Sequence, residues 1–447
     1  MKEIPKVPVK NFIIGNIGVF ARNPLAFFED NRHEFGDIYE AQLSPFITTY
    51  VFCKPEYIKH ILIDNAKNYK KSFAYGFLRR ALGNGLVTSE GDFWLRQRRI
   101  AQPAFHRDRL ANLMQTMTLS INEMLGKWET YKAHQQSFDI TQEMMRLTSD
   151  IAAKSLFSSD ISDIKDKVID CINNLNFSIS NMLKSPFGRF VTWLPTKNNR
   201  LFEANQKEFN EIIYSIINNR RKTTTTYHDL LQMLLEAKDE ETGEGMNDLQ
   251  LRDEVVTIFA AGSETSSNAL AWAIYLLLLN PIKKEKLQAE IKQVVGKETP
   301  QLAHLSALPY ANQVIQETLR LYPPAWIVGR AAQKDDEVDG YQIRKGTQVV
   351  MPTWVVHRHP DLWENPHAFQ PERFENEQAK ARQKFAHFPF GGGPRFCIGN
   401  NFAMMEMVLA LVMIVQRFDF KLLNEQEVLP EPMITLRPSK PINIKIT

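Results

Sequence analysis

From Asp253 to Leu279 the chain carries one long helical pattern with polar residues set in its middle, Gly262-Ser263-Glu264-Thr265-Ser266-Ser267-Asn268. A helix of about 28 residues would run roughly 42 Å, enough to cross a whole molecule of this size. The 447 residues, 44% of them hydrophobic, provide ample chain for a large core around it.

A single cysteine near the C-terminus carries the chemistry. Phe390-Gly-Gly-Gly-Pro-Arg395-Phe-Cys397-Ile-Gly399 sets one sulfur between glycines, a proline and an arginine. A free thiol titrates at about 8.5, so a metal, nearby cations and backbone N–H groups have to hold it as the anion before it serves as an axial ligand. Gly391, Gly392, Gly393 and Gly399 let the backbone turn tightly, aim N–H groups at the sulfur and admit a flat macrocycle at close range. Arg395, two residues before the sulfur, is placed to reach a carboxylate of that macrocycle. The segment reads as a thiolate cradle for haem iron. A lone cysteine in a Gly-rich loop is more often a packed thiol, but glycines, arginine and cysteine together at one spacing argue against that here.

This segment resembles the haem-binding loop of the cytochrome P-450 monooxygenases, and the resemblance spans nearly the whole chain, nearest to the soluble, bacterial-type fatty acid and terpenoid hydroxylases. Asn400-Asn-Phe-Ala403 then opens a helix. Glu317-Thr-Leu-Arg320 sets an acid and a base three apart on one helix face, in a helix expected to stop at Pro323-Pro324. Exposed, such a pair is worth roughly a few tenths of a kcal/mol. With Arg373 of Pro371-Glu-Arg373-Phe374, the resemblance implies a buried network that fixes the cysteine loop, which assigns Glu317, Arg320 and Arg373 to folding and haem retention. It also implies that Gly262 and the neighbouring hydroxyls let the long helix widen, with a water in place of one backbone bond. Thr265 would then donate a hydrogen bond to dioxygen, and Glu264 would pass protons inward. Gly91-Asp-Phe-Trp94-Leu-Arg96-Gln-Arg98-Arg99 places Trp94 and Arg98 four apart on one helix face. In the family such a pair bonds the haem propionates, and Arg330 of Val328-Gly-Arg330 resembles another propionate partner; burying two carboxylates requires cations close by.

The length alone would suggest about three domains. The resemblance implies instead a single P-450 haem domain over residues 1–447, mainly α with a minor β region and no fused reductase. Haem b would be the cofactor, with Cys397 the axial ligand of its iron. The implied reaction inserts one oxygen atom of O2 into a C–H bond of an organic substrate, by hydroxylation or oxidative dealkylation. The thiolate favours O–O cleavage, and the protein contributes positioning, water control and proton delivery. About 50 residues follow Cys397, with no cysteine cluster, so electrons are expected from a separate ferredoxin or flavodoxin with its NAD(P)H-dependent reductase. Arg96, Arg99, Lys380, Arg382 and Lys384 are candidate docking cations, though surface lysines and arginines often only solubilise. A monomer is expected. Two rival readings are a peroxide-driven haem-thiolate peroxygenase or isomerase, against which Glu264-Thr265 argues, and a non-catalytic haem sensor or electron carrier, which needs neither that pair nor a roomy pocket.

The remaining features bound these expectations. A net charge of +3 with dispersed basic residues argues against nucleic acid. Cys53, Cys171 and Cys397 are odd in number and far apart, which suggests a reducing compartment without a disulfide framework. No apolar run approaches the roughly 20 residues of a membrane span, and Asn11 to Phe20 lacks a signal-peptide layout, so the expected location is cytoplasmic. Ile38–Leu43 and Thr48–Cys53 read as strands, followed by helices until Val338-Asp-Gly-Tyr-Gln-Ile, whose Asp-Gly marks a turn; Gln348–Met351 is a further strand. Ala237–Asn247 is a charged, Gly-rich surface loop. Candidate pocket segments are Phe73–Leu78, Phe177–Phe190, Phe259–Thr265, Pro324–Ile327 and Met433-Ile434. Their apolar, aromatic character favours a fatty acid, terpenoid or carotenoid, with a small polar methyl ether left open.

Overall fold

The computed structural model describes residues 2–105, 107–158, 164–185, 193–222, 227, 229–238 and 243–447. The long helix forms and starts earlier than the apolar pattern, spanning Asp248–Leu279 over 32 residues. Its start is fixed by a reciprocal cap: the Asn247 side chain accepts from the Gln250 N–H and the Gln250 side chain accepts from the Asn247 N–H, each at 2.9 Å. Asn280-Pro281 ends it, the proline opening the next helix, Pro281–Val294.

This central helix belongs to two cores. Its first part, Leu251 to Phe259, packs with the helices Lys165–Lys184 and Lys197–Lys222. Its last part, Ala269 to Leu277, packs with Arg107–Ala133, Ile140–Phe157, Pro309–Leu321 and Asn400–Arg417. The polar stretch between is mostly buried as well, at Ser263, Glu264, Ser266, Ser267 and Asn268, with Ala261, Gly262 and Thr265 its more accessible positions. The widening expected there is absent. The helix is continuous, and Ser263 and Thr265 turn their hydroxyls back onto the carbonyls of Phe259 and Ala261, at 2.8 and 2.7 Å.

A third core backs a five-stranded sheet in the order Ile38–Ser44, Ile47–Phe52, Gln348–Met351, Val328–Ala332, Tyr69–Lys71. Of its four pairings the one between Ile47–Phe52 and Gln348–Met351 is parallel, with Val51 opposite Val350. The Asp339-Gly340 turn joins Asp336–Val338 to Tyr341–Ile343, both turn residues having positive φ, +50° and +80°. Tyr69–Lys71, Ser137–Asp139 and Val328–Ala332 are strands inside the region expected to be helical. They are three to five residues long, too short to show alternation, and exist through pairing with distant segments such as Phe138 with Ile444. The architecture is mainly α with a minor β region. No helix among the described residues is long and apolar enough to cross a membrane.

Candidate active site

The cysteine loop is shaped by what lies behind it. Gly393 has φ +65°, and a Cβ there would lie 1.8 Å from the Leu62 carbonyl oxygen; at Gly392 it would lie 2.3 Å from the Phe385 ring. Leu62 sits in a wide helical turn, His60–Asp64, so two unusual backbones meet where no side chain fits. The Phe396 N–H donates to Gly393 O and the Cys397 N–H to Phe390 O, both at 3.0 Å. Cys53 and Cys171 are buried, whereas Cys397 is accessible. Surrounding protein nevertheless desolvates its sulfur, pushing the thiol up, while the Gly399 N–H and the Arg98 guanidinium pull it down.

Behind the loop, Glu317 and Arg320 are completely buried and bidentate, at 2.6 and 2.7 Å. Arg320 spends its other donors on the carbonyls of His357, Pro366 and Ala368, so all five N–H groups are used. Arg373 Nε lies 3.5 Å from Glu317 Oε1, which also accepts from the Gln370 N–H at 2.9 Å. The route to the loop is explicit. Arg320 bonds His357 O, His357 Nε2 accepts from the Phe388 N–H at 2.9 Å, and Phe388 O accepts from the Gly391 N–H. Arg382, expected as a docking cation, belongs here instead: its guanidinium stacks on Trp363 and Phe374, 4.5 Å from each, and donates to Arg373 O. Among the other docking candidates, Arg96 donates to Glu244 O and Gly245 O, Lys380 pairs with Glu377 at 3.2 Å, and Lys384 is exposed.

The cation set comes together near the loop. Arg395 stacks 3.7 Å above Trp94, donates to Ser89 O at 2.9 Å and pairs with Glu90 at 2.6 Å. Arg98, one turn after Trp94 on the helix Gly91–Ala101, donates to Phe396 O at 3.1 Å. Arg330 is buried and stands directly opposite Lys71 on adjacent antiparallel strands. Like charges in that position repel. Burial, Arg330 and Arg395 push the Lys71 ammonium well below the ordinary lysine value, with Glu90 opposing. Sequence reasoning missed Lys71 and Glu90; the acid directly before Gly91 was the one available signal.

On the other wall, Ala261 is exposed and Thr265 half-buried in the middle of a helix that is otherwise core. One turn apart, they face a cavity of about 470 Å³. Residues from every pocket segment named above line it, including Phe73, Met182, Trp326 and Met433; positions 186–190 of the second segment lie outside the described residues. Further elements contribute, among them the short helix Ile17–Arg22, the turn around Phe46 and the strand Gln348–Met351. Glu264 is buried, its Oε1 accepting from Thr435 Oγ1 and its Oε2 from Asn176 Nδ2, both at 2.6 Å. Burial pushes its carboxyl up, against these bonds and the Arg437 charge.

The sequence matches the family described as Cytochrome P450 over residues 5–446. The chain belongs to the cytochrome P450 family. This P450 is 32% identical over 407 residues to cyclooctat-9-en-7-ol 5-monooxygenase of Streptomyces melanosporofaciens, covering 91% of this chain and 87% of the relative. It is 33% identical over 427 residues to cyclooctatin synthase of the same organism, covering 95% and 91%. Cytochrome P450 72A68 of Medicago truncatula is 31% identical over 402 residues, covering 86% and 76%. The chain is therefore a haem-thiolate monooxygenase, using haem iron, O2 and electrons from a redox partner. Its residues fit that cofactor. Cys397, the accessible cysteine, would hold the iron of a haem, which would supply the oxygen-activating chemistry. The opposed cations Lys71 and Arg330, with Arg395 beside them, suit a group bearing carboxylates.

Proposed function

We propose that this P450 oxidises a bulky, largely hydrocarbon substrate held in the cavity beside Ala261 and Thr265, with haem b bound through Cys397. The observation that carries this reading is the pairing of an exposed helix midpoint with an apolar cavity of about 470 Å³. Trp94, Arg98, Arg330 and Arg395 would hold the propionate edge. Haem, once bound, supplies the oxygen-activating chemistry. The chain's residues do the rest. Cys397 would supply the thiolate ligand, the Gly399 N–H and Arg98 favouring the anion against the burial that pushes the thiol up. Thr265 carries a hydroxyl proton, now given to Ala261 O, that a χ1 rotation presents to the cavity. Glu264 keeps its proton to higher pH than an exposed glutamate does, which suits a proton donor. The apolar lining excludes water from the reacting carbon. The relative named for cyclooctat-9-en-7-ol acts, by that name, on a cyclic alkenol, a substrate class compatible with this lining.

The finer assignments go with this reading: one haem domain over residues 1–447, a monomer in the cytoplasm, and a ferredoxin or flavodoxin as electron donor. The deciding experiment is the difference spectrum of the dithionite-reduced protein with and without carbon monoxide, on wild type and Cys397→Ala. A strongly red-shifted Soret band that vanishes in the variant supports the assignment. A band typical of histidine-ligated haem, or no haem, overturns it.

A further inference from the structure

The cavity wall is mostly apolar, and one of its polar corners lies beside Glu264. Asn176, on the helix Lys165–Lys184, gives one amide N–H to Glu264 Oε2. Its second N–H and its Oδ1 bond to nothing among the described residues. Ser180, one turn further on, lines the same cavity, and its hydroxyl is buried with no partner there. On the far side of Glu264, Thr435 Oγ1 accepts from Asn268 Nδ2 at 3.1 Å and donates to Glu264 Oε1. Glu264 is thus clamped from both sides, while the groups beside it keep hydrogen-bonding capacity turned toward the cavity.

We propose that Asn176 and Ser180 hold a hydroxyl group of the substrate, which makes the substrate class an alcohol with a bulky hydrocarbon skeleton. This rests on the cavity being the substrate site. A hydroxyl both donates and accepts, so it satisfies the Asn176 Oδ1 and the second N–H in a way an alkane does not. A fatty acid carboxylate would be drawn to Lys184, the cation in the cavity lining about two turns beyond Asn176, rather than to this corner, where it would face the Glu264 carboxyl. Glu264 directly precedes Thr265, so a hydroxyl at Asn176 sets the skeleton against the exposed Ala261–Thr265 face. The corner is therefore a handle that decides which carbon is presented.

The test is calorimetric titration of the haem-loaded protein with pairs of ligands of ten to twenty carbons that differ by one hydroxyl, beginning with the tricyclic alcohol cedrol and its parent hydrocarbon cedrane. Comparing wild type with Asn176→Leu cancels the ligands' own hydration. The expected result is a five- to tenfold fall in the alcohol-to-hydrocarbon affinity ratio, the size of one or two neutral hydrogen bonds, with hydrocarbon affinity retained as the sign of an intact cavity. Asn176→Ala serves if the leucine variant does not fold. An unchanged ratio, or no alcohol in the series binding more tightly than its hydrocarbon, overturns the proposal. Failure of the monooxygenase reading is seen separately, in the carbon monoxide spectrum.

Discussion

Glu406 is the least comfortable side chain in the molecule. It lies on the helix Asn400–Arg417 where that helix packs on the central one, is 1% exposed, and neither carboxyl oxygen has a hydrogen bond of acceptable geometry. Ser266 is the near polar group and relieves little of the burial, which pushes the acid up from 4.5 to about 8. A folded-state value above the unfolded one means the folded protein holds this proton more tightly, so stability falls as pH rises from about 4.5 to about 8. At 1.36 kcal/mol per pH unit, the penalty is about 3 kcal/mol at pH 7 and about 5 kcal/mol above pH 8. Glutamine has the same shape and no charge to bury. Glu406→Gln should therefore match wild type near pH 5 and exceed it increasingly above. At roughly 2.1 cal/mol/K per residue the whole chain unfolds with about 0.9 kcal/mol/K, so the gain is about 3 °C at pH 7 and about 5 °C at pH 9. Thermal unfolding of the haem-loaded protein, followed by far-UV circular dichroism from pH 5 to 9, measures it. A difference that stays flat with pH, or a variant weaker than wild type at pH 9, would refute the idea that an ionisable orphan sits there.

Arg320→Lys leaves three donors where five are used and strands buried carbonyls of His357, Pro366 or Ala368; a loss of about 3–5 kcal/mol is expected, read as a lower urea midpoint with less thiolate-ligated haem. Gly393→Ala forces a Cβ onto the Leu62 carbonyl at a positive φ, so the red-shifted carbon monoxide band should be lost or weakened, and a variant with a full band would show the loop to be more yielding than its packing implies. His387 is half-buried with its Nε2 enclosed and unpaired, and desolvation of the ring holds it down at about 3. A folded value below the ordinary 6.5 means stability is complete above pH 6.5 and drains as pH falls, about 3 kcal/mol by pH 4; His387→Gln should flatten the acid limb of the unfolding curve, and an unchanged limb would exonerate this residue.

What was legible in the chain was chemistry held within a few residues. The cysteine loop announces itself because Gly391 to Gly399 has to make a tight turn, and the helices are punctuated by Asn247, Pro281 and Pro323. The Glu317–Arg320 pair was legible by spacing, although the five-bond saturation of Arg320 depends on carbonyls up to 48 positions away. Contacts made only by tertiary packing were not legible. Arg395 was expected to be free for the cofactor, yet Glu90, 305 positions earlier, shares it. Arg382 looked like a surface cation because neither Trp363 nor Phe374 advertises that its ring face will be offered to it. The clamp on Glu264 joins residues 88 and 171 positions apart, and an asparagine on the face of an amphipathic helix carries no mark that distinguishes a ligand-facing amide from a solvated one. The polar midpoint of the central helix shows both sides of this limit. Its composition marked a polar midpoint and the resemblance implied a widened backbone, whereas the hydroxyls of Ser263 and Thr265 close back on carbonyls of their own helix. The rod is an unbroken helix where it meets the cavity, and discrimination between substrates falls to side chains from other elements, Asn176 first among them.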